Sequence, residues 1–344
     1  MDRLRAIFGR IPRLDAFNTW ILGMVVLASV LPARGVFAEW LDVGTNIGIA
    51  ILFFLHGAKL SRDDILGGIG HWRLHLHILV STFVLFPVVI LAFKPLEGIV
   101  IPPELMVGLL FLAALPSTVQ SSIAFTSIAR GNVAAAVAAA SLSNVAGVVF
   151  TPILVSLLIN MKGEMNFLQA VLSITLQILL PFVVGHLSRP VIGGWITRRQ
   201  DFLNNFDKGT IVAIVYAAFS VSVVDGMWQS LSWLKIIATG LLCCVILAII
   251  LWLVLKTAQW LGFNREDQIA IMFCGSKKSL ASGLPMAKVL FPGSSALGAT
   301  VLPLMIFHQI QLMVCAALAN RYAAEYAQTH GDNEPSGDAT PSAA

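Results

Sequence analysis

Charge is scarce in this sequence, because only 12% of its 344 residues are Asp, Glu, Lys or Arg while 57% are hydrophobic. A soluble domain usually carries about 25% charged residues. A water-soluble fold of this size could not cover so much apolar surface with so few polar groups. The composition therefore predicts an integral membrane protein in a lipid bilayer, and the formal net charge of +4 does not indicate a nucleic-acid partner.

Cysteine is also rare, and its positions argue against a disulfide framework or a metal cluster. All four cysteines lie inside apolar runs, and none has a second Cys or a His at metal-ligand spacing. We interpret them as small hydrophobic residues and expect no cofactor. They are Cys243, Cys244, Cys274 and Cys315.

Apolar stretches long enough to cross a bilayer recur along the whole chain. Ten spans are predicted, and the segment from residue 325 on, rich in Gly, Asp, Ser, Pro and Ala, is predicted to be a disordered tail. The spans are 17–32, 44–60, 74–93, 104–128, 132–160, 167–188, 207–224, 232–257, 267–290 and 295–320.

Lysine and arginine are distributed unequally between alternate loops. With the N-terminus inside, fifteen lie in inner segments and five, including Lys288, lie in outer loops. Two more, Lys277 and Lys278, lie within a span. The excess of positive charge on one side predicts that both the N- and C-termini are cytoplasmic.

The fourth span in each half of five is interrupted by small, polar and helix-breaking residues. The first interruption falls within Leu115–Ser122 and the second within Cys274–Pro285. Paired interrupted spans at corresponding positions are typical of inverted-repeat transporters. We therefore divide the chain into a first five-helix repeat at 1–160, a second inverted repeat at 161–324 and the tail at 325–344.

The polar side chains at these breaks form the predicted site for substrate and coupling ion. An interrupted helix exposes the N–H groups at the start of one half-helix and the C=O groups at the end of the other. The N–H groups attract anions, and the C=O groups attract cations. A single Ser can equally serve helix packing, but matched breaks with many polar groups favour a binding site. The predicted residues are Ser117, Thr118, Gln120, Ser121, Ser122, Ser276, Lys277, Lys278, Ser279 and Ser282, with His308 and Gln311 in the last span.

Lys277 and Lys278 are the least expected residues in these spans, since a lysine at mid-membrane costs about 2.5 kcal/mol or more. Adjacent residues cannot share one helix face, so the two should meet different surroundings. The nearest acids, Glu104 and Asp267, lie at span ends. The expected partner is a carbonyl at a helix break, Gln120 or an anionic substrate. Two alternatives are a structural strut and a neutral lysine that takes up and releases protons.

Four motifs are spread over nearly the whole chain: FLHGAKLS at 54–61, ARGNVA at 129–134, GSKKSL at 275–280 and FHQIQ at 307–311. Together they resemble the bile acid:sodium symporter superfamily, in its bacterial SBF-like branch related to vertebrate solute carrier family ten, member seven. The resemblance implies an all-α membrane fold of ten helices in two inverted repeats, with the broken fourth and ninth helices crossing. It implies a panel domain of helices one, two, six and seven, a core domain of the others, and alternating access in a bacterial cytoplasmic membrane.

The resemblance also implies sodium coupling, but the sequence departs from the family at the sodium ligands. In the bile-acid members, hydroxyls of the fourth and fifth helices and a Glu and Gln of the ninth hold sodium near the crossing. Here the fifth-helix positions are Ala136 and Ala140, and Cys274–Lys278 contains no acid. A hard cation requires several oxygen ligands. We therefore expect Lys277 or Lys278 to replace the sodium ion, giving a uniporter or a proton-coupled carrier.

The function that follows is secondary transport of a small organic solute, and the lack of acidic partners for the lysines favours an anion. The expected partners are that solute and the lipid bilayer, and the oligomeric state is left open. One alternative is a non-transporting membrane regulator, for example of calcium handling. Another is a Ser–Lys hydrolase, because Lys278 and Ser282 are four residues apart. No oxyanion hole or acid partner is evident, so we expect no enzyme.

Overall fold

The computed structural model describes residues 16–59, 71–159, 167–291 and 297–330. Within these ranges the regular structure is helical, apart from one isolated bridge between Glu97 and Ile101. The twelve main helices described are α1 Ala16–Val30, α2 Gly35–Lys59, α3 Trp72–Ala92, α4a Pro103–Ala114, α4b Gln120–Ile128, α5 Val133–Leu158, α6 Phe167–Arg198, α7 Gln200–Val224, α8 Trp233–Trp260, α9a Arg265–Gly275, α9b Leu280–Leu290 and α10 Leu297–His330.

Seven of these helices contain a segment long and apolar enough to cross a membrane, namely α2, α3, α5, α6, α7, α8 and α10. Two shorter helices, α1 and α4a, are also apolar. The prediction of an all-helical, multi-pass membrane protein is confirmed at this level.

Several helices continue past the apolar runs that predicted them. The helix α2 begins at Gly35 rather than near residue 44, with Glu39 and Asp42 exposed along it. Charged residues on an exposed face do not end a helix, although they lower its hydropathy. For the same reason α6 continues to Arg198 instead of residue 188.

The tail was predicted to begin at residue 325, which is too early. The helix α10 continues to His330, so residues 325–330, which were expected to be disordered, are helical. The polar residues of this segment extend the helix beyond its apolar part. Residues 331–344 of the predicted tail lie outside the described residues.

The helices α2 and α6 approach each other at two glycines. A Cβ atom on Gly57 would lie 1.9 Å from the carbonyl oxygen of Phe182, and one on Gly185 would lie 1.9 Å from that of Phe54. Any side chain at either position would therefore push the two backbones apart. This contact accounts for the glycine of the motif at 54–61, and α7 packs against both α1 and α2 beside it.

The helix α3 contains a π-helical segment, Ser81–Leu85. There the N–H of Phe86 donates to the carbonyl of Ser81. The next donor in this series would be Pro87, which has no N–H. The carbonyl of Thr82 is therefore left available to another part of the chain, as is common at π-helical segments of functional sites.

Two pairs of half-helices meet in the middle of the molecule. The helix α4a ends at Ala114 and α4b begins at Gln120, while α9a ends at Gly275 and α9b begins at Leu280. The two breaks are in direct contact, because Ser279 N–H in one donates to the Pro116 carbonyl in the other at 2.9 Å.

Candidate functional site

The carbonyl end of α9a is covered by hydroxyl groups from the other break. Ser117 Oγ donates to the carbonyl of Cys274 at 2.5 Å, and Ser122 Oγ donates to that of Phe273 at 3.0 Å. Ser276 Oγ bonds within its own helix, to the carbonyl of Met272 at 2.6 Å. Helix ends buried away from water need such partners, so Ser117 and Ser122 hold the two breaks together, while Ser276 satisfies a carbonyl of its own helix.

The helix α5 supplies the remaining support, which the sequence analysis did not identify. Ser143 Oγ accepts from the N–H of Ser117 at 3.0 Å, and Asn144 Nδ2 donates to the carbonyl of Ser117 at 2.9 Å. Asn144 Oδ1 accepts from Ser282 Oγ at 2.8 Å. Thr151 Oγ1 caps the last residue of α4a at 2.8 Å. The only sequence feature that could have indicated this supporting role is the presence of a few polar residues in the alanine-rich helix α5.

Lys278 is fully enclosed by carbonyl groups. Its Nζ donates to the carbonyls of Thr82 at 2.7 Å, Ala113 at 2.8 Å and Leu115 at 2.7 Å. An ammonium has three donors, so all three are used. The ring centre of Phe86 lies 4.3 Å from Nζ, and the side chain is 0% exposed. Lys278 therefore contacts carbonyls at a helix break, which were one of its predicted partners.

Lys277 points into a different environment, as predicted for adjacent residues. Its Nζ donates to Ser121 Oγ at 3.1 Å and lies 4.3 Å from the ring centre of Phe125. The ring of Phe273 is farther away, at 5.8 Å. Lys277 is as deeply buried as its neighbour, but it has one hydrogen-bond acceptor among the described residues instead of three.

Gln311 fixes both the backbone of Lys278 and the orientation of His308. Its Oε1 accepts from the N–H of Lys278 at 2.9 Å, and its Nε2 donates to the carbonyl of Lys278 at 2.8 Å. These two bonds identify which amide atom carries the hydrogens. The same Nε2 lies 3.0 Å from His308 Nδ1 and donates to it. His308 therefore holds its own proton on Nε2, as a neutral imidazole.

Further hydroxyl groups form a connected cluster at the starts of α4b and α9b. Ser121 Oγ donates to Thr118 Oγ1 at 2.9 Å, and Thr118 Oγ1 lies 2.7 Å from Ser122 Oγ. At the other break, Ser279 Oγ caps α9b by accepting from the N–H of Ser282 at 3.1 Å. The helix α4b has no side-chain cap of this kind, so its first N–H groups are available to a ligand.

A cavity of about 750 Å³ reaches both half-helix N-termini. It is bounded by α1, α2 and α5–α7 as well as by α4b, α9b and α10. Six predicted site residues line it, and the other six lie behind its wall. The lining six are Thr118, Gln120, Ser121, Ser279, Ser282 and His308; those behind the wall are Ser117, Ser122, Ser276, Lys277, Lys278 and Gln311.

The cavity extends to a polar cluster at the end of α2 and the start of α7. Lys59 Nζ pairs with Asp207 Oδ2 at 2.8 Å and lies 3.4 Å from Asn204 Oδ1. His56 Nε2 lies 3.8 Å from the same carboxylate oxygen. The predicted site did not include this cluster. The sequence feature that could have indicated this cluster is the placement of His56 and Lys59 one helical turn apart in the motif at 54–61.

The structure corrects the predicted position of Lys288. It was expected in an outer loop, but it lies in α9b and is only 8% exposed. Its Nζ pairs with Asp42 Oδ1 of α2 at 3.1 Å and bonds the hydroxyl of Thr45. A lysine near a helix end can reach a polar partner across the interface, which hydropathy alone does not indicate. This pair ties α9b to α2.

The motif at 129–134 joins the starts of α5 and α9a. Asn132 Nδ2 donates to Asp267 Oδ1 at 2.8 Å, and Asn264 Oδ1 caps α9a by accepting from the N–H of Asp267 at 2.8 Å. A Cβ atom on Gly131 would lie 2.5 Å from Ile269 Cγ2, so only glycine fits there without a shift. Asp267 is thus a structural residue at the helix start.

The contacts at the two breaks engage the carbonyls at the end of α4a and keep Lys278 away from Ser282. The carbonyls of Ala113 and Leu115 already accept from Lys278, and a cation there would adjoin that ammonium. Lys278 precedes α9b, with its Nζ on carbonyls, while Ser282 donates to Asn144.

The SBF-like resemblance is confirmed by comparison with known proteins. The model of the SBF-like CPA transporter family matches residues 15–324. The chain is 54% identical over 310 residues to an uncharacterized protein of Pseudomonas aeruginosa, covering 90% of this chain and 93% of that protein. It is 50% identical over 325 residues to the Escherichia coli protein named "Putative symporter YfeH", covering 94% and 98%. A rat protein named "Sodium/bile acid cotransporter 7" is 28% identical over 274 residues, covering 79% and 81%.

Proposed function

Because the chain belongs to the SBF-like CPA transporter family, we propose that it carries a small organic anion across the bacterial cytoplasmic membrane by alternating access. The observation that carries this proposal is the cavity that ends on the N-termini of α4b and α9b. Half-helix N-termini at mid-membrane are characteristic anion sites of such carriers.

The proposed topology has ten crossings in two inverted five-helix repeats, at 1–160 and 161–324. The seven long apolar helices supply seven crossings, α1 supplies one, and the half-helix pairs α4a/α4b and α9a/α9b supply two. The helices α1, α2, α6 and α7 form the panel domain, and the others form the core. The close contact of α2 with α6 and the packing of α7 on α1 and α2 support this grouping.

In this proposed topology the cavity opens to the inner side, so we assign the structure to an inward-open state. The cavity reaches the end of α2 and the start of α7, and the lysine and arginine distribution places that side in the cytoplasm. On the opposite side, Lys288 of α9b is paired with Asp42 of α2. That pair joins a core helix to a panel helix, so it must separate when the cavity opens outward.

Hydrogen-bond donors surround the place proposed for the anion. The first N–H groups of α4b and the Nε2–H of His308 belong to the cavity wall, and the hydroxyls of Thr118 and Ser121, which donate to Ser122 and Thr118, lie beside them. Among the described residues of α4b, α9b and the breaks there is no Asp or Glu. A carboxylate substrate would thus receive charge-assisted hydrogen bonds without meeting a like charge nearby.

Lys278 supplies the positive charge that a coupling sodium would bring. Its ammonium joins the carbonyl end of α4a to α3 and α9, where a cation complements the helix dipole. Because this charge is covalently attached, binding of the anion needs no sodium. The sequence departure at Ala136 and Ala140 supports the same conclusion.

Thermal stability of the purified protein tests the proposal. A panel of chloride, phosphate, mono- and dicarboxylates and conjugated bile acids would be added in sodium and in potassium salts. A ligand at 100 times its Kd stabilises the native state by about 2.7 kcal/mol. We expect at least one organic anion to raise the melting temperature equally in both salts.

Two variants locate the effect. Gln120→Glu places a carboxylate at the start of α4b inside the cavity and should abolish the stabilisation. Gln259→Glu makes the same change at an exposed position near the end of α8 and should preserve it. The proposed anion site would be wrong if no anion stabilised the protein, or if both variants responded alike. Stabilisation in sodium salts only would contradict the role of Lys278.

Uptake by proteoliposomes then separates a carrier from a regulator. The stabilising anion, radiolabelled, should accumulate in vesicles that contain the protein and not in vesicles with Gln120→Glu. Binding without uptake would instead favour the non-transporting regulator.

A further inference from the structure

We propose that Lys277 is the proton-binding site of this protein, and that the proton it carries is the coupling ion. The coupling role rests on the proposed transport function, whereas proton binding by Lys277 does not. Two structural observations support the assignment: the coordination of its amine and its connection to the cavity.

The coordination of Lys277 suits both protonation states of an amine. Its Nζ has Ser121 Oγ as hydrogen-bond acceptor, at 3.1 Å, and the face of the Phe125 ring at 4.3 Å. The ring stabilises an ammonium, while burial without a counter-ion favours the neutral amine. Neither form leaves a set of carbonyls without a donor, because no carbonyl depends on Lys277 in the way that three depend on Lys278.

The described residues around Lys277 include no carboxylate that would keep it charged. The titratable neighbours that interact with it are Cys274 of α9a, and Cys315 and His308 of α10. The helix α4b contributes Ser121 and Phe125, neither of which titrates in this range. The nearest acid along its own element, Asp267, is ten residues earlier, roughly 15 Å by the helical rise, and is bonded to Asn132.

A chain of hydroxyl groups connects Lys277 with the cavity. Ser121 and Thr118 both line the cavity and are bonded to each other at 2.9 Å. When the amine is neutral, the Ser121 hydroxyl can turn from Thr118 to donate to Nζ, and it then passes its proton to Lys277 as it accepts one from cavity water. In the balanced step, hydronium and the neutral amine become water and the ammonium. No oxidant, reductant or further reactant is needed.

Protonation of Lys277 also places a second positive charge behind the anion site. Proton and anion would therefore each raise the affinity for the other by the same factor, as linkage requires. When both leave, Lys277 returns to the neutral amine while Lys278 keeps its charge. For a monovalent anion, the proton on Lys277 balances the charge of the anion, so the loaded and empty states carry the same net charge and the half-loaded states do not. This difference would favour movement of proton and anion together, as coupling requires.

Charge displacement after an acidic pH step tests proton binding without any organic solute. The full chain would be reconstituted in liposomes adsorbed on a solid-supported membrane. We expect a transient current from the unaltered protein and from Lys256→Met, whose exposed lysine provides a matched control. The current should disappear in Lys277→Met and also in Lys277→Arg, because a guanidinium remains charged throughout.

Three neighbours must be excluded as the source of the current. His308→Gln and the double variant Cys274→Ala/Cys315→Ala should retain it. The proposal would be overturned if Lys277→Met displaced as much charge as the unaltered protein, or if His308→Gln alone removed the current. Current in the unaltered protein without any anion uptake would contradict the proposed transport function and leave the proton site supported.

Discussion

Lys277 and Lys278 are adjacent and equally buried, yet the structure gives them opposite environments. Three carbonyls surround the ammonium of Lys278, whereas one hydroxyl and an aromatic ring face that of Lys277. One residue belongs to the framework of the breaks, and the other lies next to the cavity wall. We infer from this comparison that the number of hydrogen-bond acceptors around a buried lysine, rather than its burial, distinguishes a fixed ammonium from an amine that can exchange its proton.

Lys278→Met should have the largest effect. It leaves the carbonyls of Thr82, Ala113 and Leu115 without their donor, and each buried unsatisfied group costs about 1–3 kcal/mol. We expect the free energy of unfolding to fall by about 3 kcal/mol or more, measured as a lower melting temperature and reduced yield of folded protein in detergent. Lys256→Met, at an exposed lysine, should be unchanged; an equally stable Lys278→Met would contradict the framework role.

Lys277→Met should preserve the fold and remove pH-dependent behaviour. The substitution removes one hydrogen bond, worth about 1 kcal/mol, and keeps a side chain of similar volume beside Phe125. Melting temperature should therefore decrease much less than in Lys278→Met, while anion uptake loses its dependence on pH. A loss of stability equal to that of Lys278→Met would show that Lys277 also belongs to the framework of the breaks.

Gln311→Glu tests the link between Lys278 and the cavity. A carboxylate cannot donate to the Lys278 carbonyl or to His308 Nδ1, so His308 should move its proton to Nδ1 and present an acceptor to the anion. We expect anion affinity to fall about tenfold, which corresponds to about 1.4 kcal/mol, in a titration followed by thermal stability. His308→Gln retains a donor and should lose less; unchanged affinity in Gln311→Glu would refute the assigned orientation of His308.

Asp42→Asn should have the smallest effect, on the conformational equilibrium. It weakens a pair whose acid is largely exposed, and such pairs contribute about 0.2–1 kcal/mol. Labelling of Ser282→Cys from the outer side by a membrane-impermeant thiol reagent should increase up to about fivefold. Asp225→Asn, at an exposed turn, is the control. Reduced labelling in Asp42→Asn would contradict the outward-closing role of Lys288.

The half-helix breaks could be predicted because their signal is local. Pro116, Ser117 and Gly275 interrupt apolar runs where no soluble loop would be expected, and their contact follows from the pairing of the two halves. The separate directions of Lys277 and Lys278 were predicted from helix geometry, although the structure places both residues in the non-helical segment between α9a and α9b. The contributions of Ser143 and Asn144 could not be predicted, because polar residues in an alanine-rich helix do not indicate which neighbour they face.

The sequence by itself determined the membrane class, the positions of the two breaks and the lack of an acid within residues 274–278. These are properties of short segments, set by hydropathy and by residues that cannot continue a helix. Only the tertiary structure decided that Lys278 receives three carbonyls while Lys277 receives one hydroxyl. The reason is that Thr82, whose carbonyl is left available next to Pro87, lies 196 residues from Lys278 in the chain. The sequence analysis did not anticipate a pairing over that distance, which the packing of α3 against the breaks produces.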